Sequence, residues 1–172
     1  MWDQVRSGKS LIVESYKHCN MDKSNEHTNP EAEIVSMRIF PTSRQILFKA
    51  FSDPHHLAQW WGPHGFSNTF HEFNFEVGGE WRYTMHGPEK GNYENHCAFT
   101  QIIVPQLIVW KRFSKPLFQV MFIFESISST QTKLIFKMIF DTVEECNKLK
   151  PYVVDKNEEN FDRLLLQIPH IY

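Results

Sequence analysis

The sequence predicts an α+β fold: a curved antiparallel sheet built in the order β-α-α-β6-α and closed by a C-terminal helix. Three observations predict it. From Phe66 to Asp141, apolar residues recur at every second position between turn signals. Helical spacing appears only on either side of that block, over 43–61 and after Asp141. With 15 phenylalanines in 172 residues, the sheet carries an aromatic face that another element must cover.

Each element follows from its own residues. Residues 1–30 are polar, lack a sustained period and end in Asn29-Pro30, which reads as a flexible or loosely docked extension. Residues 31–172 read as a single domain. Over Glu33–Phe40, Ile34, Ser36, Arg38 and Phe40 alternate with Val35, Met37 and Ile39, a strand that Pro41 ends. Thr42 or Ser43 caps a helix over 43–52 with Leu47, Ala50 and Phe51 as its apolar face. Asp53-Pro54 is an N-cap followed by proline at the first helical position, and that helix runs to about Trp61, stopped by Gly62-Pro63.

The strand block begins with 67–77, turns at Gly78-Gly79, and continues over 79–87 with Trp81, Tyr83 and Met85 on one face. Further strands cover 92–104, 106–113, 116–126 and 131–140, separated by Pro105, Ser114-Lys115-Pro116 and Ser128-Ser129-Thr130. Short links between successive strands make an antiparallel meander. Thr142-Val-Glu-Glu145 is a capping box that opens a short helix to about Lys150, where Pro151 interrupts it. A terminal helix runs from Asp155 to about Ile168 with Phe161, Leu164, Leu165 and Ile168 as its stripe.

Composition narrows the function classes. A formal net charge of −2 leaves no basic footprint for nucleic acid. Three cysteines (Cys19, Cys97, Cys146), without a CxxC, argue against a disulfide framework or a zinc knuckle and fit a reducing cytoplasm. No apolar run approaches the ~20 residues of a membrane span, and Leu11-Ile12-Val13 is too short for a signal peptide.

Four pieces of sequence carry a family resemblance: Phe40-Pro-Thr-Ser-Arg-Gln-Ile-Leu-Phe-Lys-Ala-Phe51; Asp53-Pro54 with Leu57, Trp60-Trp61-Gly62-Pro63 and Gly65-Phe66; Gly78-Gly79-Glu80-Trp81-Arg82; and Asn157-Glu-Glu-Asn-Phe-Asp-Arg-Leu164. With this order of elements they resemble the START-like superfamily, also called birch-pollen-allergen-like, SRPBCC or helix-grip. Within it the chain is similar to the bacterial branch related to the C-terminal domain of the activator of the heat-shock-protein-90 ATPase. The resemblance covers residues 33–168. It implies a cavity between the sheet and the terminal helix that in relatives holds apolar molecules. The chain departs from the family pattern before the Gly-Gly turn, where Asn74, Glu76 and Val77 stand in place of an acidic and then a basic residue.

Neighbours on a helix point about 100° apart, so Trp60 and Trp61 do not face one site equally. Either the indoles pack the short helices onto the sheet and the long helix, or one of them forms the cavity mouth with the Gly62-Pro63-His64-Gly65 loop as its gate. The nine histidines form no HxH or HExxH pair, so no metal site is expected. Glu72, Glu76, Glu80 and Glu94, with Arg82 and Arg112, are the acid–base candidates, but alternation puts Glu72 and Glu76 on the solvent face. Without a nucleophile elbow, P-loop or dinucleotide fingerprint, the chain reads as non-enzymatic. Glu158, Glu159, Asp162 and Arg163 read as a solvated outer face of the terminal helix.

The expected activity is binding of a small apolar molecule between the sheet and the terminal helix, without cofactor or metal. Trp60, Phe66, Trp81, Tyr83 and Phe99 are the first residues expected to line the site. Phe122, Phe136 and Leu165 extend it, and Tyr83 or Arg112 orients the ligand. The alternatives are a chaperone-regulating interaction domain and a polyketide cyclase- or hydrolase-like enzyme.

Overall fold

Seven antiparallel strands form one sheet in the order β1-β7-β6-β5-β4-β3-β2, as a computed structural model of the chain describes it over residues 29–171. The strands are β1 (Glu33–Phe40), β2 (Ser67–Phe73), β3 (Glu80–His86), β4 (Asn92–Ile103), β5 (Leu107–Arg112), β6 (Gln119–Ser128) and β7 (Gln131–Ile139). Three helices accompany them: α1 (Arg44–Ser52), α2 (Pro54–Trp60) and α3 (Val143–Gln167). This is the α+β arrangement that the periodicities predict and the helix-grip fold that the family resemblance implies. The proposed extension over residues 1–30 falls almost wholly outside the described residues.

The alternation in β1 sorts its side chains as its period requires. Ile34, Ser36 and Phe40 are buried, whereas Val35, Met37 and Ile39 are exposed on the other face. Across the concave side the strands pool their aromatics: Phe122 stacks on Phe136 with ring centroids 4.4 Å apart, and Trp81 stacks on Tyr83 at 4.3 Å. Phe161 of α3 closes one half by meeting Phe40 edge-on at 5.8 Å.

Two expectations are corrected. β2 stops at Phe73 rather than at residue 77, because the register shifts between Phe70 and Glu72 and the chain then folds back on itself. In that turn Gly79 N–H donates to Glu76 O at 2.9 Å, and Phe99 N–H donates to Gly79 O at 3.0 Å. A Cβ on Gly79 would lie 2.1 Å from Asn74 O, so only glycine fits.

Pro151 does not interrupt a helix: α3 is continuous from Val143 to Gln167 with Pro151 inside it. Proline removes the N–H that would bond to Asn147 O, but both residues are on the exposed side of the helix. Meanwhile Cys146, Leu149, Val153, Asn157, Phe161 and Leu164 keep one face against the sheet at helical spacing on both sides of Pro151. Tertiary packing outweighs the local break. Pro151→Ala is therefore expected to raise unfolding stability by about 1–3 kcal/mol, read by chemical denaturation; a loss of stability would contradict this account.

Candidate functional site

The Trp-Trp-Gly-Pro segment is shaped by two missing N–H groups. In α1 the carbonyl of Ala50 has Pro54 four residues ahead, which has no proton to donate. Trp60 Nε1–H donates to Ala50 O instead, at 2.9 Å. In α2 the carbonyl of Gln59 has Pro63 four ahead, and there Arg163 of α3 supplies the donor at 2.7 Å. Arg163 also donates to Gly62 O at 2.7 Å and Pro63 O at 3.0 Å. Its cationic head thus caps the negative end of α2, although burial pulls its pKa below the ordinary arginine value. Asn68 completes the cap by donating to Ala58 O and Trp61 O at 3.3 and 2.6 Å.

The two indoles meet edge-on, with ring centroids 5.6 Å apart, but take different partners. Trp60 is the last residue of α2 and points into the core, 1% exposed, its ring 4.7 Å from that of Phe51. Trp61 has left the helix, with extended backbone at φ −63°, ψ 126°. Its ring meets Trp81 and Trp110 at 5.8 and 5.6 Å, and its Nε1–H donates to the Tyr83 hydroxyl at 2.9 Å. Gly62 follows at φ +101°, where a Cβ would press Met85 at 3.2 Å.

Trp61 is also one wall of a cavity of about 380 Å³. The floor is the inward face of three adjacent strands, with Tyr83 and Met85 from β3, Asn95 and Cys97 from β4, and Trp110 and Arg112 from β5. Phe66 and Tyr93 stand on one side, ring centroids 6.2 Å apart, and Lys115, Pro116 and Phe118 on the other.

The cavity is not lined by α3, contrary to expectation. That helix lies over β1, where Phe40, Phe136 and Phe161 fill the space. Of the predicted lining residues, Phe66, Tyr83 and Arg112 border the cavity. Trp60 does not, because its N–H is committed to Ala50. Trp81, Phe99, Phe122 and Phe136 belong to the packed core instead, each at most 2% exposed. Leu165 is 40% exposed, lying beside the buried stripe of Phe161 and Leu164 rather than on it. Between the two indoles that the sequence leaves open, Trp61 is the one that borders the cavity; Met85, Tyr93, Asn95, Cys97, Trp110, Lys115, Pro116 and Phe118 border it without having been among the expected lining residues. Counting back by twos from the inward Phe99 reaches Cys97 and Asn95, and counting forward from Ile108 reaches Trp110 and Arg112.

The charges on α3 are not simply solvated. Arg38 of β1 bridges Glu158 and Asp162, each at 2.6 Å, with its guanidinium 5.4 Å from the Phe161 ring centroid. Desolvation works against the charged form of Arg38, but the bonds to Asp162 and Glu158 outweigh it and raise its pKa. Glu159 accepts from His64 N–H at 3.0 Å. With Arg163 on the same loop, the Gly62–Gly65 segment is tied to α3 at several points.

The sequence model of the family described as "Activator of Hsp90 ATPase homolog 1-like protein" matches residues 41–168. The chain belongs to that family. The match spans the Trp-Trp-Gly-Pro segment, the Gly-Gly turn and all of α3. No curated protein matches the chain in sequence. Among solved structures, a protein from Nitrosomonas europaea has a TM-score of 0.75 at 14% identity, over 83% of this chain and 97% of that one. A protein from Arthrobacter aurescens has a TM-score of 0.75 at 18% identity, over 81% and 87%. The AHSA1 protein from Silicibacter pomeroyi has 0.65 at 22%, over 80% and 98%. At these identities the likeness concerns the fold.

In this member of the activator-like family the cavity offers little acid–base chemistry. Burial pushes the Cys97 thiol up to about 12, with Arg112 pulling weakly the other way, so the thiol stays protonated and a poor nucleophile. Burial likewise raises the Tyr83 phenol, and Cys97 adds to that shift. No Asp, Glu or His lines the cavity. Among the described residues no helix is long and apolar enough to cross a membrane.

Proposed function

We propose that this protein binds a small, flat, apolar molecule in the cavity floored by β3, β4 and β5, without transforming it. The observation that carries the reading is the lining: aromatic walls from Trp61, Phe66, Tyr93, Trp110 and Phe118, with few polar groups among them. Such walls favour a ring system, because burial of apolar surface contributes about 25 cal/mol per Å² and stacking adds to it. The volume is within the usual range for ligand pockets. A protonated thiol and the lack of a carboxylate or imidazole in the lining support binding over catalysis.

Calorimetric titration with the neutral probe 2-naphthalenemethanol is expected to show one site and a negative heat-capacity change, the mark of apolar burial. Absence of any heat up to the solubility limit of the probe would reject the reading. Chaperone regulation, the activity in the family's description, is the competing reading. The exposed apolar row Val35, Met37 and Ile39 is the surface it would use, and stimulation of a 90-kDa chaperone's ATPase by the unliganded protein would favour it.

A further inference from the structure

The cavity carries formal charge of one sign only. Arg112 and Lys115 line it, and no acidic residue does. Among the described residues, neither cation has a carboxylate within ion-pair distance, whereas Arg38, Arg82, Lys133, Lys137, Lys148 and Lys156 all do.

Arg112 is nonetheless held in position. Its Nε donates to Ser114 Oγ at 2.9 Å and its Nη2 to Lys115 O at 3.3 Å, and its guanidinium lies 5.2 Å from the Phe118 ring centroid. These partners are neutral, so they fix the side chain and leave its charge uncompensated. Nη1 has no partner among the described residues. Nearby, the Tyr83 hydroxyl accepts from Trp61 Nε1, and its own proton has no acceptor among the described residues. The two groups are close in the sheet. Tyr83 pairs with Asn95 and Arg112 pairs with Cys97, so both sit on the inward face, on either side of β4.

We propose that the natural ligand of this cavity is an aromatic monocarboxylate. Its ring system lies among Trp61, Trp110 and Phe118, and its carboxylate meets Arg112, with the Tyr83 hydroxyl as a further donor and Lys115 adding charge at the rim. The inference rests on the ligand-binding reading above and names the class of ligand. A neutral ring compound leaves the guanidinium uncompensated beside apolar walls, and a cation is repelled. A carboxylate gains a charge-assisted hydrogen bond from a guanidinium that neutral partners already hold in place. One free guanidinium nitrogen and one hydroxyl suit a monoanion; a dianionic phosphate needs more donors.

The test compares 2-naphthoate with 2-naphthalenemethanol by calorimetry on the full chain at pH 7. The acid is expected to bind about tenfold or more tightly than the alcohol. In Arg112→Gln that preference is expected to fall to within about threefold, and Lys115→Gln is expected to lower it by a smaller factor. Should Arg112→Gln fail to fold, the wild-type preference must shrink as salt rises from low to molar concentration. Equal binding of the two probes, tighter binding of the alcohol, or an acid preference indifferent to both Arg112 and salt overturns this proposal and leaves the apolar site standing. If neither probe binds, the ligand-binding reading fails and takes this inference with it.

Discussion

Trp60→Ala is expected to cost about 3–5 kcal/mol of folding stability, among the largest effects of any single substitution in this chain. Two losses combine. The indole is 1% exposed and packs on Phe51, so its removal opens a cavity in a region that cannot collapse around α1 and α2. Its N–H is also the substitute donor for Ala50 O, which Pro54 leaves unserved. Trp60→Phe separates these terms. It keeps most of the ring volume, loses the hydrogen bond, and is expected to cost about 1–3 kcal/mol. Denaturant titration of the two variants measures both. A Trp60→Ala cost below about 1 kcal/mol would mean that the packing role is wrong.

Arg163→Met is expected to be the second large effect, at about 2 kcal/mol. One guanidinium serves three carbonyls, Gln59, Gly62 and Pro63, at 2.7 to 3.0 Å. The site is only partly buried, so water replaces some of what is lost and the cost stays below the sum of three bonds. The signature is local. Amide exchange should quicken over residues 59–66 while the β6 and β7 ladder keeps its protection. Because Trp61 is in that segment, probe affinity should fall too. Arg163→Lys should recover only part of the loss, since a single ammonium does not reproduce the planar fork. Uniform loss of protection across the sheet would instead assign Arg163 a general packing role.

The local rules explain which parts of this structure are legible in the sequence. Strands β3, β4, β6 and β7 are readable because each buries residues of one face at period two, whereas β5 buries Leu107 to Trp110 in succession and is bounded instead by its turn signals; the caps Ser43, Asp53 and Thr142 are single-residue signals that local geometry obeys. Pro151 misleads because the cost of a helix-interior proline is local, whereas the apolar stripe from Cys146 to Leu164 that outweighs it is tertiary. The Arg38 and Arg163 contacts span 100 residues or more of sequence, beyond the reach of any spacing argument. Their partners therefore look like ordinary helix-surface charges.

The site was partly legible for the same reason. Period two puts Tyr83 and Arg112 on the inward face, but which inward residues pack and which border space depends on where α3 lies across the sheet. The assignment between Trp60 and Trp61 turns on the last residue of a seven-residue helix, a boundary that sequence reading places only to within a few positions. Pro54 and Pro63 are visible in the chain, and each removes a helix donor. What replaces each donor is visible only in three dimensions.

The central claim is that a ligand binds over β3, β4 and β5 beside Trp61, away from α3. Amide and indole chemical-shift mapping during titration with 2-naphthalenemethanol tests it most directly. The account predicts shifts concentrated at the Trp61 and Trp110 indoles and the amides of Met85, Asn95, Cys97 and Phe118, with Asn157, Phe161 and Leu164 unmoved. Shifts centred on α3 and β1, with the Trp61 indole silent, would contradict it.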